Sequence, residues 1–162
     1  MNWIPAYIGL GSNLQEPAQQ VRRALEALAD LPATRLVLRS ALYGSRPFGP
    51  IVQADFCNAA AGLLTTLAAP KLWSELRRLE QQLGREPARE RWGPRVIDLD
   101  LLVYGSERRQ DSSLTVPHPG IAERSFVLRP LCDIAPELMV PGVGRVATLA
   151  AAAGAAGLWL WA

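Results

Sequence analysis

Asp98 and Asp100 stand one residue apart in Val96-Ile97-Asp98-Leu99-Asp100-Leu101-Leu102-Val103-Tyr104, a run that is otherwise β-branched or apolar. Alternation at period two predicts a strand, with Ile97, Leu99, Leu101 and Val103 on one face and Val96, Asp98, Asp100 and Leu102 on the other. The two carboxylates then point the same way, with Cα atoms about 6.6 Å apart at about 3.3 Å rise per residue. On an apolar strand they repel each other and are costly to desolvate, and a cation between them removes that cost. Hard oxygen ligands suit Mg2+, which takes one or two carboxylates together with substrate phosphates. Two such ions about 3.5–4 Å apart clamp the attacking and leaving oxygens of a phosphoryl displacement. Asp-x-Asp alone is common, and an edge strand with solvated aspartates carries the same tripeptide. Arg91 and Arg95, just upstream in Arg91-Trp92-Gly93-Pro94-Arg95, shift the reading toward phosphate chemistry, because a guanidinium matches phosphate oxygens bidentately.

The chain that must position these groups has 162 residues. That is enough for one domain, residues 1–162, with a substantial core. A net charge of +2 gives no bulk field for nucleic acid. The cations are nevertheless lopsided, since Lys71 is the sole lysine and every other one is an arginine. Cys57 and Cys132 are far apart and outside any metal-ligand spacing, as expected of reduced thiols in a cytoplasmic protein. The start, Met1-Asn2-Trp3-Ile4-Pro5, lacks the basic region and apolar length of a signal peptide. No run reaches the roughly 20 apolar residues of a membrane span. A soluble protein with no membrane partner is expected.

The elements follow from periodicity and punctuation. Residues 6–10 read as a strand that ends in Gly9-Leu10-Gly11-Ser12-Asn13. This is not a dinucleotide fingerprint, because Leu14 occupies the place of the third glycine. Ser12 or Asn13 is expected to cap a helix with Glu16 and Pro17 in its first turn and Val21, Ala24, Leu25 and Leu28 on its apolar stripe. Residues 34–43 read as a second strand, 44–55 as a long irregular loop, and 56–65 as a central third strand of small and apolar residues. Pro70 opens a helix with Leu72, Leu76, Leu79 and Leu83 in line and Gly84 as its stop. Residues 84–95 hold Arg85, Arg89, Arg91 and Arg95, with Trp92 as the only large apolar side chain, and are expected to be mobile. After the Asp-bearing strand come a polar stretch over 105–115, a helix over 124–135 with Pro130 early, and an Ala-rich terminal helix or packed tail over 146–161. The order β-α-β-β-α-β is the ferredoxin-like pattern, an α+β fold with an antiparallel sheet and helices on one face.

With these pieces assembled, the chain resembles 6-hydroxymethyl-7,8-dihydropterin pyrophosphokinase of folate biosynthesis. The match runs through Tyr7-Ile8-Gly9-Leu10-Gly11-Ser12-Asn13, Phe56-Cys57-Asn58-Ala59-Ala60, residues 91–100, Leu114-Thr115-Val116-Pro117-His118 and Arg124-Ser125-Phe126-Val127-Leu128 to Ile134-Ala135-Pro136-Glu137-Leu138. Arg-Trp-Gly-Pro-Arg-x-x-Asp-Leu-Asp is the specific string among them. The resemblance implies transfer of pyrophosphate from MgATP to the pterin's hydroxymethyl oxygen, with release of AMP. It implies that Asp98 and Asp100 hold two Mg2+ ions, and that Arg85 and Arg95 hold the phosphates and serve catalysis. Glu80, Trp92, Leu101, His118 and Arg124 match nucleotide contacts. Phe56 and Phe126 match the aromatics that sandwich the pterin, Asn58 fits its amide edge, and Ser45, Phe48 and Trp92 match residues that line its pocket. His118 would serve as a hydrogen-bond donor rather than a base. Partners would be small molecules alone, and the protein a monomer. The apolar tail Gly157-Leu158-Trp159-Leu160-Trp161 would pack on the core or let two copies associate.

Two other classes share the element order. A ferredoxin-like RNA-binding module would carry an exposed aromatic series on its central strand, which Cys57-Asn58-Ala59-Ala60-Ala61-Gly62-Leu63-Leu64 lacks. A non-catalytic, nucleotide-binding regulatory domain would have no need of the intact set Arg85, Arg95, Asp98 and Asp100.

Overall fold

A computed structural model describes residues 2–47, 49–84 and 96–161 of the chain. The first half runs β1 (Ile4–Ser12), α1 (Pro17–Ala29), β2 (Thr34–Arg39), β3 (Tyr43–Ser45), β4 (Phe56–Thr65) and α2 (Ala69–Gln82). The second half begins with β5 (Asp98–Tyr104), β6 (Arg109–Gln110) and β7 (Thr115–Val116), then a 3-10 turn at Ile121–Glu123 and α3 (Ser125–Ile134). It ends with β8 (Met139–Val140), β9 (Gly144–Arg145), α4 (Val146–Ala153) and β10 (Leu158–Leu160). No helix among the described residues is long and apolar enough to cross a membrane.

β4 is the centre of the sheet, as its composition requires. Cys57 through Leu63 are all buried, and apart from the hydrogen-bonded Asn58 they are the small or apolar residues that suit a strand covered on both faces. Along its length β4 pairs antiparallel with β1, and on its other side with β2 and β3. The strand expected over 34–43 is therefore two strands. β2 pairs with Ala61–Thr65 and β3 with Phe56–Asn58. Between them Ser40 substitutes for a ladder: its N–H donates to Ala60 O at 2.9 Å, and its Oγ accepts from Ala60 N–H at 2.8 Å. The main sheet has the order β10-β3-β4-β1-β5, with β2 joined to β4 off that path.

Each face of the sheet has its own core. On one, Val21, Ala24, Leu25 and Leu28 of α1 and Leu72, Leu76 and Leu79 of α2 pack on Ala6, Ile8, Leu10, Ala59, Ala61, Leu63, Leu99 and Leu101. The other face carries Leu128 and Leu131 of α3 and Val146 of α4 against Ala60, Leu102 and Val103. The helices expected on one face are thus α1 and α2, and the later α3 and α4 cover part of the second face. Within β5 the expected alternation holds through Leu101 and then changes phase. Tyr7 faces Val103 while Ile8 faces Leu101, so Leu102 is an extra residue opposite β1. That bulge sends Val103 to the second core with Leu102, not to the first with Leu101.

Three local expectations change. α1 starts at Pro17 with left-handed Glu16 before it and no side-chain cap. Ser12 Oγ instead donates to Leu14 O at 3.4 Å, and Asn13 reaches across to the 46–55 loop. Pro130 sits inside α3 rather than near its start. The tail is a helix followed by a strand: α4 ends at Gly154, β10 adds itself to β3, and Trp161 packs against the first core.

Candidate active site

Antiparallel register brings one row of residues together across four strands. Tyr43 on β3 faces Asn58 on β4, Asn58 faces Gly11 on β1, and Gly11 faces Asp98 on β5. In the rows beside it, Ser45 faces Phe56, and Gly9 faces both Ala60 and Asp100. Facing residues share one side of a sheet, so Ser45, Phe56, Asn58, Asp98 and Asp100 all lie on the side that α3 covers. The aspartates are half-buried, and each faces a glycine. A Cβ added at Gly11 would stand 3.5 Å from Asn58 Oδ1 and 3.9 Å from Phe56 Cδ1. The absent side chain at 11 therefore leaves a cradle between the amide of Asn58 and the carboxylate of Asp98.

On the β3 side the polar groups are fixed. Asn58 Nδ2 donates to Ser45 Oγ at 2.8 Å and to Tyr43 O at 3.3 Å, and all three residues are buried. Its donor is thus committed to β3, which leaves Oδ1 toward the cradle. Tyr43 in turn donates from its hydroxyl to Asp133 Oδ2 of α3 at 2.7 Å. Burial first, and then this carboxylate, raise the phenol above its ordinary value. Cys57, next in β4, points to the opposite side and lies in the first core, where burial pushes its thiol up to about 12.

On the β5 side, His118 follows β7 and a cis Val116–Pro117 bond. Its backbone N–H donates to Leu102 O at 2.8 Å, pinning it to the Asp-bearing strand. Nδ1 accepts from Gly120 N–H at 3.2 Å, so the proton of the neutral ring sits on Nε2. Burial chiefly, and the positive charge of Arg124, bring its pKa down to about 4 against a smaller opposing pull from Asp98. At neutral pH His118 is an uncharged ring with its proton on Nε2, beside Asp98 and Arg124. Arg124 precedes α3 and folds over Gly120, where an added Cβ would come 2.7 Å from its Nε. Phe126 lies in the first turn of α3, half-buried, on the helix that covers this face.

Leu101 lies where the alternation puts it, on the apolar face with Ile97 and Leu99, whereas Glu80 occupies a place the sequence does not indicate. Leu101 is 3 % exposed with its side chain in the first core, leaving its main chain for any ligand contact. Glu80 is buried at the edge of the sheet: its Oε2 accepts from Leu99 N–H at 2.8 Å, and Oε1 lies 3.2 Å from Arg77 Nη1. Arg77 Nη2 donates to Leu99 O. β5 is an edge strand, so this ion pair satisfies both outward polar groups of the residue between Asp98 and Asp100. Glu80→Ala is expected to cost about 1–3 kcal/mol, the range for leaving a buried donor unpaired; urea denaturation measures it. Asn13 is a further residue that sequence reasoning misplaces. Its Nδ2 donates to Gln53 Oε1 at 2.7 Å and Ala54 O at 2.9 Å, fastening the loop before β4 to the end of β1. Of the other expected site residues, Phe48, Arg85, Trp92 and Arg95 lie outside the described residues, as does all but Gly84 of the stretch 84–95 expected to be mobile.

Among the described residues no group of three or more His, Cys, Asp or Glu side chains stands ready for a metal. Two carboxylates on one face of β5 still fit Mg2+, which fills its remaining positions with water and phosphate oxygens.

The family model described as 7,8-dihydro-6-hydroxymethylpterin-pyrophosphokinase matches residues 7–136, from β1 to just past α3. The 2-amino-4-hydroxy-6-hydroxymethyldihydropteridine pyrophosphokinase of Haemophilus influenzae is 47% identical over 138 residues, which cover 85% of this chain and 86% of that protein. Its counterpart in Pseudomonas aeruginosa is 46% identical over 147 residues, or 90% of each chain. The folic acid synthesis protein fol1 of Pneumocystis carinii is 39% identical over 138 residues, 18% of its own length. Among solved structures, wild-type HPPK-DHPS of Plasmodium falciparum with STZ-DHP superposes with a TM-score of 0.72 over 93% of this chain. It shares 12% identity, a likeness of fold, and this chain spans only 43% of it. The chain belongs to the 7,8-dihydro-6-hydroxymethylpterin pyrophosphokinase family, enzymes of folate synthesis that pass pyrophosphate from MgATP to the pterin's hydroxymethyl group and release AMP.

Proposed function

We propose that the α3-covered face of the sheet holds the two substrates end to end, with the pterin toward β3 and the triphosphate toward β5. The observation that carries this is the row Asn58–Gly11–Asp98. Two strand spacings separate the amide from the carboxylate, about 10 Å, and the β1 residue between them in the row is Gly11. A planar heterocycle bound at one end thus presents its hydroxymethyl group to phosphates bound at the other. Ser45, Phe48, Phe56, Asn58, Trp92 and Phe126 serve the pterin. Glu80, Arg85, Trp92, Arg95, Leu101, His118 and Arg124 serve ATP.

Asp98 and Asp100 would hold Mg2+, as two ions, which would offset the charge of the triphosphate when bound. His118 donates from Nε2 to a phosphate oxygen without adding charge, while Arg85, Arg95 and Arg124 supply the positive field. Catalysis here is positioning and charge compensation, which is what phosphoryl transfer requires. The protein acts as a monomer in the cytoplasm on small molecules, neither nucleic acid nor membrane being a partner, through one domain spanning 1–162. Association through β10 is the alternative state.

AMP release is expected only when ATP, 6-hydroxymethyl-7,8-dihydropterin and Mg2+ are all present, and its rate should rise with Mg2+ beyond the concentration that saturates ATP. ATP binding without pterin-dependent AMP would favour a regulatory domain. A Mg2+ dependence that ends when ATP is saturated would reduce the metal to one ion.

A further inference from the structure

The strand β10 lies beyond the residues that the family model matches, and nothing so far gives it a task. It pairs with the whole of β3: Leu158 faces Ser45, Trp159 faces Gly44, and Leu160 faces Tyr43. Trp161 N–H extends the ladder to Leu42 O at 2.9 Å. Trp159 is 39% exposed, yet its indole fills the space where a side chain at residue 44 would be. A Cβ added to Gly44 would fall 2.2 Å from both Cε2 and Nε1 of the ring. Only glycine admits this contact, so Gly44 and Trp159 form a matched pair across β3 and β10.

β3 is three residues long, and both acceptors that hold the Asn58 amide belong to it, Ser45 Oγ and Tyr43 O. Its Tyr43 end has a second anchor in Asp133. At the Ser45 end the ladder partners are Phe56 on β4 and Leu158 on β10. Without β10 this end would be the last residue of a very short edge strand. Such strands fray.

We infer that β10, seated by Trp159 on Gly44, is a positioning strand for pterin recognition: it holds β3 in register so that Ser45 fixes the orientation of the Asn58 amide. This rests on the proposed placement of the pterin. β5, where the triphosphate is placed, is the opposite edge of the sheet, so loosening β10 should affect one substrate and spare the other.

The test uses the full chain carrying Trp159→Ala, and separately Gly44→Ala, which drives the indole off from the other side. Isothermal calorimetry measures a non-hydrolysable ATP analogue with Mg2+, and then 6-hydroxymethylpterin in the presence of that complex. Both variants are expected to raise the pterin Kd about tenfold, the effect of loosening one fixed polar contact, with the ATP analogue held within about twofold. Trp159→Phe should recover most of the pterin affinity. Unchanged pterin Kd in both alanine variants would overturn the inference, and so would an equal loss for the two ligands, which marks a general loss of fold. Asn58→Ala separates the underlying reading: if it leaves pterin affinity unchanged, the pterin does not sit at β3, and the placement itself fails.

Discussion

Asparagine at position 98 or 100 lowers turnover by about a thousandfold or more, and the protein keeps its fold. A bound metal stabilises transition-state charge by several kcal/mol, and each 1.36 kcal/mol is tenfold in rate. The amide keeps the shape of the carboxylate and loses its charge, which is what binds Mg2+. Asp98 and Asp100 face Gly11 and Gly9, so no facing side chain on β1 relies on either for packing. The stability of the edge comes instead from Leu99 between them, buried on one side and tied through its main chain to Arg77 and Glu80. Measuring AMP release across a Mg2+ titration, beside a thermal melt, separates the two roles. Near-normal turnover of either variant at saturating Mg2+ would remove the aspartates from the metal site.

Phe126→Ala weakens pterin binding by about thirtyfold and ATP binding by far less. A stacked aromatic contributes about 0.5–1.5 kcal/mol beyond area, and the apolar area of the ring adds a comparable amount at about 25 cal/mol per Å2. Together they make roughly 2 kcal/mol, or about thirtyfold. Phe126 is only half-buried on a helix whose core contacts are made by Leu128 and Leu131, both fully buried. Removing its ring therefore leaves the packing of α3 largely in place. Separate calorimetric titrations of the two ligands decide the matter. Equal losses would show that the ring packs the fold and does not stack on the substrate.

How legible all this is in the sequence depends on the range of the interaction. The period-two pattern of residues 96–101 is local, and it places Asp98 and Asp100 on one face as the structure does. The uninterrupted small and apolar run of β4 likewise announces a central strand. What escapes is anything set by a partner distant in sequence. The bulge at Leu102 leaves no mark on composition, since Leu101, Leu102 and Val103 are all apolar. Only pairing with β1 decides which of them is the extra residue. The break between β2 and β3 depends on Ser40 bonding to Ala60, and Asn13 looks like a helix cap until Gln53 and Ala54 are beside it. Glu80 reads as a solvated helix residue because the sequence does not say that α2 lies along the open edge of β5. β10 reads as an apolar tail because a three-residue strand has no period to detect.

The alternation of β4 also has a consequence for reactivity. Asn58 points to the face that α3 covers, so the sulfur of Cys57 must point to the dry core under α1 and α2. With its pKa pushed up to about 12 by burial, the thiol stays protonated at neutral pH, and it is the thiolate that attacks electrophiles and yields to peroxide. The sulfur next in sequence to the Asn58 amide is therefore held as an unreactive thiol, on the side of the sheet away from that amide.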